Sequence, residues 1–209
     1  LITNKKRVSV VDHGIGNIRS VTNALEHSGF VVNLTSNPDE LRNSDALIFP
    51  GVGNFGGVMD ALESKGLKEA VKEYISEDLP FVGICVGMQV LLEESTESPN
   101  SKGFGFFSGQ LRHLSTLESN KTTPSIGWND LEYRTSSPVE PALTSGYFVH
   151  NYFASGVDET NLISSYSWHG HQIPAHMGIG RVHGVQFHPE KSRIEGVNFL
   201  SSLILEVSK

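Results

Sequence analysis

The sequence predicts an α/β protein built on a mostly parallel, open sheet with helices on both faces and antiparallel strands at one edge. Three observations lead there. Over roughly the first ninety residues, β-branched apolar runs alternate with segments of helical period across short connections. From about residue 103 the rhythm changes to short strand candidates punctuated by Gly, Pro and Ser. Near the end a segment of helical period returns, which suits a closing helix packed on the sheet.

Taken in order, "RVSVVD" (7–12) reads as a strand, and "NIRSVTNALEH" (17–27) places Ile18, Val21, Ala24 and Leu25 on one helical face before the breakers Ser28 and Gly29. "VVNL" (31–34) and "ALIF" (46–49) read as further buried strands. "LKEAVKEYI" (67–75) spaces Leu67, Ala70, Val71, Tyr74 and Ile75 along one face of a helix. "PFVGI" (80–84) is the next strand and runs into Cys85, with "VGMQVLLEE" (86–94) as a candidate helix after it. The later strand candidates are 109–114, 125–134, 147–154, 161–167 and 182–187. The closing helix, 196–207, carries Val197, Leu200, Ile204 and Val207 on one face. Parallel strands flanked by helices bind ligands outside their carboxyl ends, where Cys85 would lie.

No linker, repeat or low-complexity tract interrupts the chain, so a single domain over 1–209 is expected. The net charge of −7 and the absence of a basic patch argue against nucleic acid and anionic membranes as partners. No apolar run approaches the length of a membrane helix. A single cysteine leaves no internal disulfide, and "LITNKKRVSVVD" passes from basic residues straight into a strand pattern. A reducing, cytoplasmic setting is therefore expected.

The chemistry centres on "VGICVGMQ" (82–89). Cys85 stands between an apolar strand and a candidate helix, with Gly83 and Gly87 relieving crowding on either side. That junction exposes a nucleophile on a sharp turn, and a helix N-terminus favours a thiolate. A lone cysteine can equally be a small buried hydrophobe. A nucleophile needs a base and the base an orienting group. In "GVQFHPEKS" His188 ends a strand, and Glu190 follows across a stiffening proline. The order histidine then acid differs from that of the α/β-hydrolases. "FPGVGNFGG" (49–57) is glycine-rich where the chain would pass the nucleophile, so it can lend backbone N–H groups to an oxyanion or simply turn. Neither it nor "HGIGNI" (13–18) completes a phosphate-binding pattern, and no cofactor is expected. His169, His171, His176 and His183 lack a cysteine or carboxylate to complete a zinc set, so no metal site is expected.

Together "PGVG" (50–53), "GICVGMQ" (83–89) and "QFHPEKS" (186–192) resemble the oxyanion strand, nucleophile elbow and His–Glu motif of the class I (triad) glutamine amidotransferases. Within that group, "GIGNIRSV" (14–21), "PGVGNFGGVMDAL" (50–62), "GWN" (127–129) and "YFVHNY" (147–152) resemble the glutaminase subunit, or domain, of imidazole glycerol phosphate synthase. The resemblance covers about residues 8–205. It implies L-glutamine as substrate, a Cys85–His188–Glu190 triad, and oxyanion donors at Gly53 and Val86. It further implies glutamine contacts from Gln89, Asn151 and Tyr152, and a (β/α)₈-barrel synthase partner, separate or fused, met near Asn17, Trp128, Tyr147 and Lys191. Three positions depart from the pattern: His13 where Tyr is usual, Val86 where Leu is commoner, and Asn151 where Ser or Thr is frequent. The segment 168–184 also departs, which keeps two alternatives in view: a glutaminase serving sugar amidation in surface-polysaccharide synthesis, and a catalytically silent regulatory subunit.

Overall fold

The computed structural model describes residues 5–16, 18–134, 137–140 and 142–209. Its centre is an eight-stranded sheet. Five strands are mutually parallel: β1 (Arg7–Val11), β2 (Val31–Thr35), β3 (Ala46–Phe49), β4 (Phe81–Ile84) and, much later in the chain, β13 (Val182–Val185), in the order β2-β1-β3-β4-β13. All four residues of β3, β4 and β13 are buried, as strands covered on both faces must be.

The helices that cover them are α1 (Arg19–His27), α2 (Phe55–Ser64), α3 (Leu67–Ser76) and α5 (Arg193–Val207); α1 packs against α5, and α2 against α3. α1 buries Val21 and Leu25, and α3 buries Leu67, Val71, Tyr74 and Ile75, the faces that the apolar spacing predicts. Each such side chain removed from water contributes about 1.5–3 kcal/mol. A four-residue helix, α4 (Val86–Gln89), follows β4 directly.

Three antiparallel strands complete the large sheet beyond β13: β12 (His171–Ile179), β11 (Leu162–Trp168) and β8 (Glu132–Tyr133). The other late strands do not join this edge. β5 (Glu94–Ser95), β6 (Gln110–His113) and β10 (Tyr152–Ser155) form one small sheet; β7 (Ser125–Asp130) and β9 (Ser145–His150) form another.

Several expectations need correction. The run 147–154 is two strands in two sheets, broken at Asn151, and 125–134 likewise divides between β7 and β8. The helix expected over 86–94 ends at Gln89, and the chain turns from there into β5. The glycine-rich turn at 49–57 gives way to a full helix, α2, whose N-cap Asn54 accepts a hydrogen bond from Gly57 N at 2.7 Å. The closing helix starts at Arg193, three residues earlier than its apolar period suggests, and buries Phe199 and Leu203 while Val197 is only half-buried. Among the described residues, no helix is long and apolar enough to cross a membrane.

Candidate active site

Adjacent in the sheet, β3, β4 and β13 end at the same edge, and each hands the chain to one of the motifs read from the sequence. β3 leads into Pro50–Gly53, β4 into Cys85, and β13 into Gln186 and His188. Parallel pairing thus brings together segments that lie some hundred residues apart.

Cys85 has φ 53° and ψ −107°, a left-handed conformation that costs a non-glycine residue of order 1–3 kcal/mol. Local bonds hold it there: Cys85 N donates to Val185 O at 2.7 Å, and Cys85 O accepts from Met88 N at 3.0 Å and Gln89 N at 3.1 Å. Glycines let the backbones close around this turn. A β-carbon at Gly83 would sit 2.3 Å from Gly87 O, one at Gly87 would sit 2.1 Å from Phe49 O, and one at Gly51 would sit 2.5 Å from Gly87 N. The Pro50–Gly53 segment is therefore pressed onto the start of α4. With only four residues α4 has little macrodipole, so the support expected for a thiolate from a long helix is small here.

His13 tethers that segment from the other side. Its Nε2 donates to Pro50 O at 2.9 Å, its ring stacks on Phe49 with centroids 5.4 Å apart, and Ile15 N donates to its Nδ1 at 3.3 Å. Burial lowers its pKa, in keeping with a neutral ring that donates from one nitrogen and accepts at the other.

His188 is buried beneath the same edge. Its Nδ1 lies 2.9 Å from Glu190 Oε1, so the carboxylate fixes the proton on that nitrogen. Burial works to lower the pKa of the ring, but Cys85 and Glu190 beside it outweigh burial and raise it to about 10. The other ring nitrogen, Nε2, and Glu190 Oε2 hold no hydrogen bond among the described residues. The His188 segment is clamped to β9: His188 N donates to Tyr147 O at 2.9 Å, Tyr147 N donates to Ser192 Oγ at 2.9 Å, and Ser192 Oγ donates to His188 O at 2.7 Å.

A cleft of about 120 Å³ opens over the sulfur, and Gly53, Cys85, Val86, Gln89, Asn151 and Tyr152 all line it. The structure thus gathers every residue expected at the nucleophile, the oxyanion donors and the substrate contacts. Three further lining residues, Glu97, Val149 and His150, escaped the sequence reading. Glu97 Oε2 accepts from Phe55 N at 2.8 Å, which fixes a carboxylate at the cleft wall. Nothing in its neighbourhood "ESTESPN" singles it out.

Of the residues expected at a partner surface, Trp128 and Tyr147 face each other across β7 and β9, with ring centroids 6.0 Å apart, and Arg193 lies 4.7 Å over the indole. Trp128 is 43% exposed and Ile126, two residues before it, 62%. Lys191 is exposed on the turn beyond Glu190. Asn17 lies outside the described residues. The histidines of 168–184 separate: His169 and His171 lie at the β11–β12 turn, whereas buried His176 and His183 bond to each other, Nε2 to Nδ1, at 3.0 Å. Among the described residues no three His, Cys, Asp or Glu side chains are grouped to hold a metal ion.

Residues 9–205 match the family model "Glutamine amidotransferase class-I". The chain is 40% identical to the imidazole glycerol phosphate synthase subunit HisH of Bacillus licheniformis, over 92% of this chain and 93% of that one. It is also 40% identical to the chloroplastic imidazole glycerol phosphate synthase hisHF of Arabidopsis thaliana, over 95% of this chain and 34% of that longer one. A crystal structure of a glutamine amidotransferase superposes with a TM-score of 0.75 at 21% identity, covering 96% of this chain and 98% of that one, a likeness of fold. The chain therefore belongs to the class-I glutamine amidotransferase family, among the relatives of the HisH subunits.

Proposed function

We propose that the protein is the glutaminase subunit of imidazole glycerol phosphate synthase and hydrolyses L-glutamine to glutamate and ammonia at Cys85. The observation that carries this is the convergence of a strained, buried cysteine and a carboxylate-bound histidine at one sheet edge, under a small polar cleft. Cys85 gives its proton to His188 and adds through sulfur to the side-chain carbonyl of glutamine. The oxyanion is met by the backbone N–H groups of Gly53 and Val86. His188 then returns the proton to the departing nitrogen, and ammonia leaves behind a glutamyl thioester. Water, deprotonated by His188, adds to the thioester carbonyl, and the thiolate departs as glutamate forms. Glu190 holds the imidazole and balances its charge.

Gln89, Asn151 and Tyr152 hold the substrate. The Glu97 carboxylate on the cleft wall suits the α-ammonium group of an amino acid. Ammonia passes to a (β/α)₈-barrel partner in histidine biosynthesis, either a separate subunit or, as the length of the plant relative illustrates, part of a longer chain. The partner meets the face carrying Ile126, Trp128, Tyr147 and Lys191, whose exposed aromatic and apolar groups suit an interface anchor. The resemblance implies Asn17 as a further partner contact.

The test is glutamate release measured with the barrel partner present. Cys85→Ala should abolish it, and a variant releasing glutamate at the unmutated rate would sink the proposal.

A further inference from the structure

Beneath the cleft runs a line of buried polar groups whose donors and acceptors can be assigned one after another. It starts on β7, away from the nucleophile. Ser125 Oγ lies 3.2 Å from Tyr166 OH, and Tyr166 OH lies 2.9 Å from His150 Nε2. His150 Nδ1 lies 2.8 Å from Tyr152 O, which can only accept, so the ring proton is on Nδ1. A neutral imidazole protonated there accepts at Nε2. Tyr166 therefore donates to His150, and Ser125 donates to Tyr166.

The same Tyr152 carbonyl takes a second hydrogen bond, from Gln89 Nε2 at 3.4 Å. Gln89 Nε2 also donates to Gln186 Oε1 at 3.1 Å. Both hydrogens of the Gln89 amide are then committed within the protein, so only its carbonyl oxygen is left to meet a ligand. Because Gln186 Oε1 is the acceptor in this pair, the Gln186 amide has one orientation, and its Nε2 faces Cys85 Sγ at 3.6 Å. Gln186 is fully buried, so no water competes for that donor.

We infer that Gln186 is a positioning residue for the nucleophile: its amide N–H, oriented by Gln89 and the Tyr152 carbonyl, holds Cys85 Sγ and favours the thiolate over the thiol. The physical reason is asymmetry in the acceptor. A thiol sulfur is a weak acceptor, whereas an anionic one takes a hydrogen bond about twice as strong as a neutral pair does. His188 and Gln186, both from the segment that follows β13, thus act on the sulfur in different ways, one exchanging its proton and the other accommodating the charge left behind. The inference rests on the glutaminase reading only for its consequence in turnover; the hydrogen-bond polarity stands apart from it.

Cys85 is the only cysteine, so its alkylation by iodoacetamide reports on this sulfur alone. In the full chain, Gln186→Glu keeps an acceptor for Gln89 and, as a carboxylate, removes the donor to sulfur and adds a negative charge beside it, so that Gln186→Met, which adds no charge, isolates the hydrogen bond. The pH of half-maximal alkylation should rise by about one unit, which is tenfold in thiolate at a fixed pH below it. Glutamine turnover with the barrel partner should fall about tenfold in kcat with KM changed less than about twofold. Gln186→Met, similar in volume and without a donor, should shift the alkylation profile in the same direction by less. Should either variant fail to fold, the unmutated chain supplies the reading: one glutamine side-chain NH₂ signal in its ¹⁵N spectrum should move across the pH range of half-maximal alkylation. An alkylation midpoint that stays put in a folded variant, or no glutamine NH₂ signal that follows it, overturns the inference. Absence of glutamine turnover in the unmutated complex, with the midpoint shift intact, would instead remove the glutaminase reading and leave the hydrogen-bond assignment standing.

Discussion

His188 and His150 are both buried at the same end of the molecule, yet they hold protons with opposite preference. His188 is raised to about 10, while His150 is lowered to about 4. Burial pulls both down. What differs is the company: His188 has a carboxylate at 2.9 Å and the cysteine beside it, whereas His150 is met by a carbonyl and a phenol and feels the neighbouring His188 as a further positive charge. His176 repeats the second case, its ring set against another imidazole and its pKa lowered by burial. Desolvation alone therefore makes a neutral structural imidazole, and an anionic partner turns an equally buried one into an acid–base group.

The most direct way to break the contrast is Glu190→Gln. It leaves a ring of the same shape without its counter-charge, so His188 should behave more like His150. Glutaminase kcat should drop about 10⁴-fold, as when the acid of a comparable triad is neutralised, with the fold intact by circular dichroism. A change under tenfold would mean that Cys85 alone sets the character of His188.

The contrast also gives the two rings opposite stability signatures. For His150 the folded pKa is depressed, so the unfolded chain binds the extra proton. Its effect is nil above about pH 6.5, and stability is lost as the pH falls from there towards 4, by roughly 1.4 kcal/mol per unit and up to about 3 kcal/mol. For His188 the folded pKa is raised, so its contribution is complete below about pH 6.5 and is lost as the pH climbs towards 10. Urea unfolding at pH 7, 6 and 5 should show the acid slope, and it should shrink in His150→Gln.

Smaller still is the cost of His176→Phe. A buried aromatic ring is kept, somewhat larger than the imidazole, but His183 Nδ1 loses its donor, for about 1–3 kcal/mol by urea denaturation. Least of all is Arg193→Ala. Its cation lies over an indole that is 43% exposed, and the loss should stay under about 1 kcal/mol.

Much of this architecture can be read from the sequence, and the exceptions share a cause. Strands β1, β3 and β4, with α1 and α3, follow from apolar period because each buries one consistent set of residues, whereas 31–34, expected to be buried, is the edge strand β2 and leaves Val31 and Leu34 exposed. Cys85, His188 and Glu190 follow from local chemistry, since each motif carries its own nucleophile, base or acid. α2 was hidden by Gly56 and Gly57, whose low helix propensity is overridden by the Asn54 cap and by burial of Phe55, Val58, Met59 and Leu62. The break at Asn151 has no local signal, because alternation continues through a residue where the chain changes sheets. β12 was masked by Pro174 and Gly178. Gln186, His150 and Glu97 act through partners 101, 16 and 42 residues away, distances across which no local pattern reaches.

The crowding at Gly51, Gly83 and Gly87 bears on how this protein can drift. None of the three offers a side chain to a substrate, yet a single added methyl at any of them would drive backbone into backbone. In a saturation library selected for activity these positions should be as depleted as Cys85 and His188. Counting the amount of intact protein per variant would separate the two groups: the glycine variants vanish from the pool, whereas the inert triad variants persist in it. A map of tolerated substitutions would therefore overstate the number of reacting groups unless abundance were counted alongside.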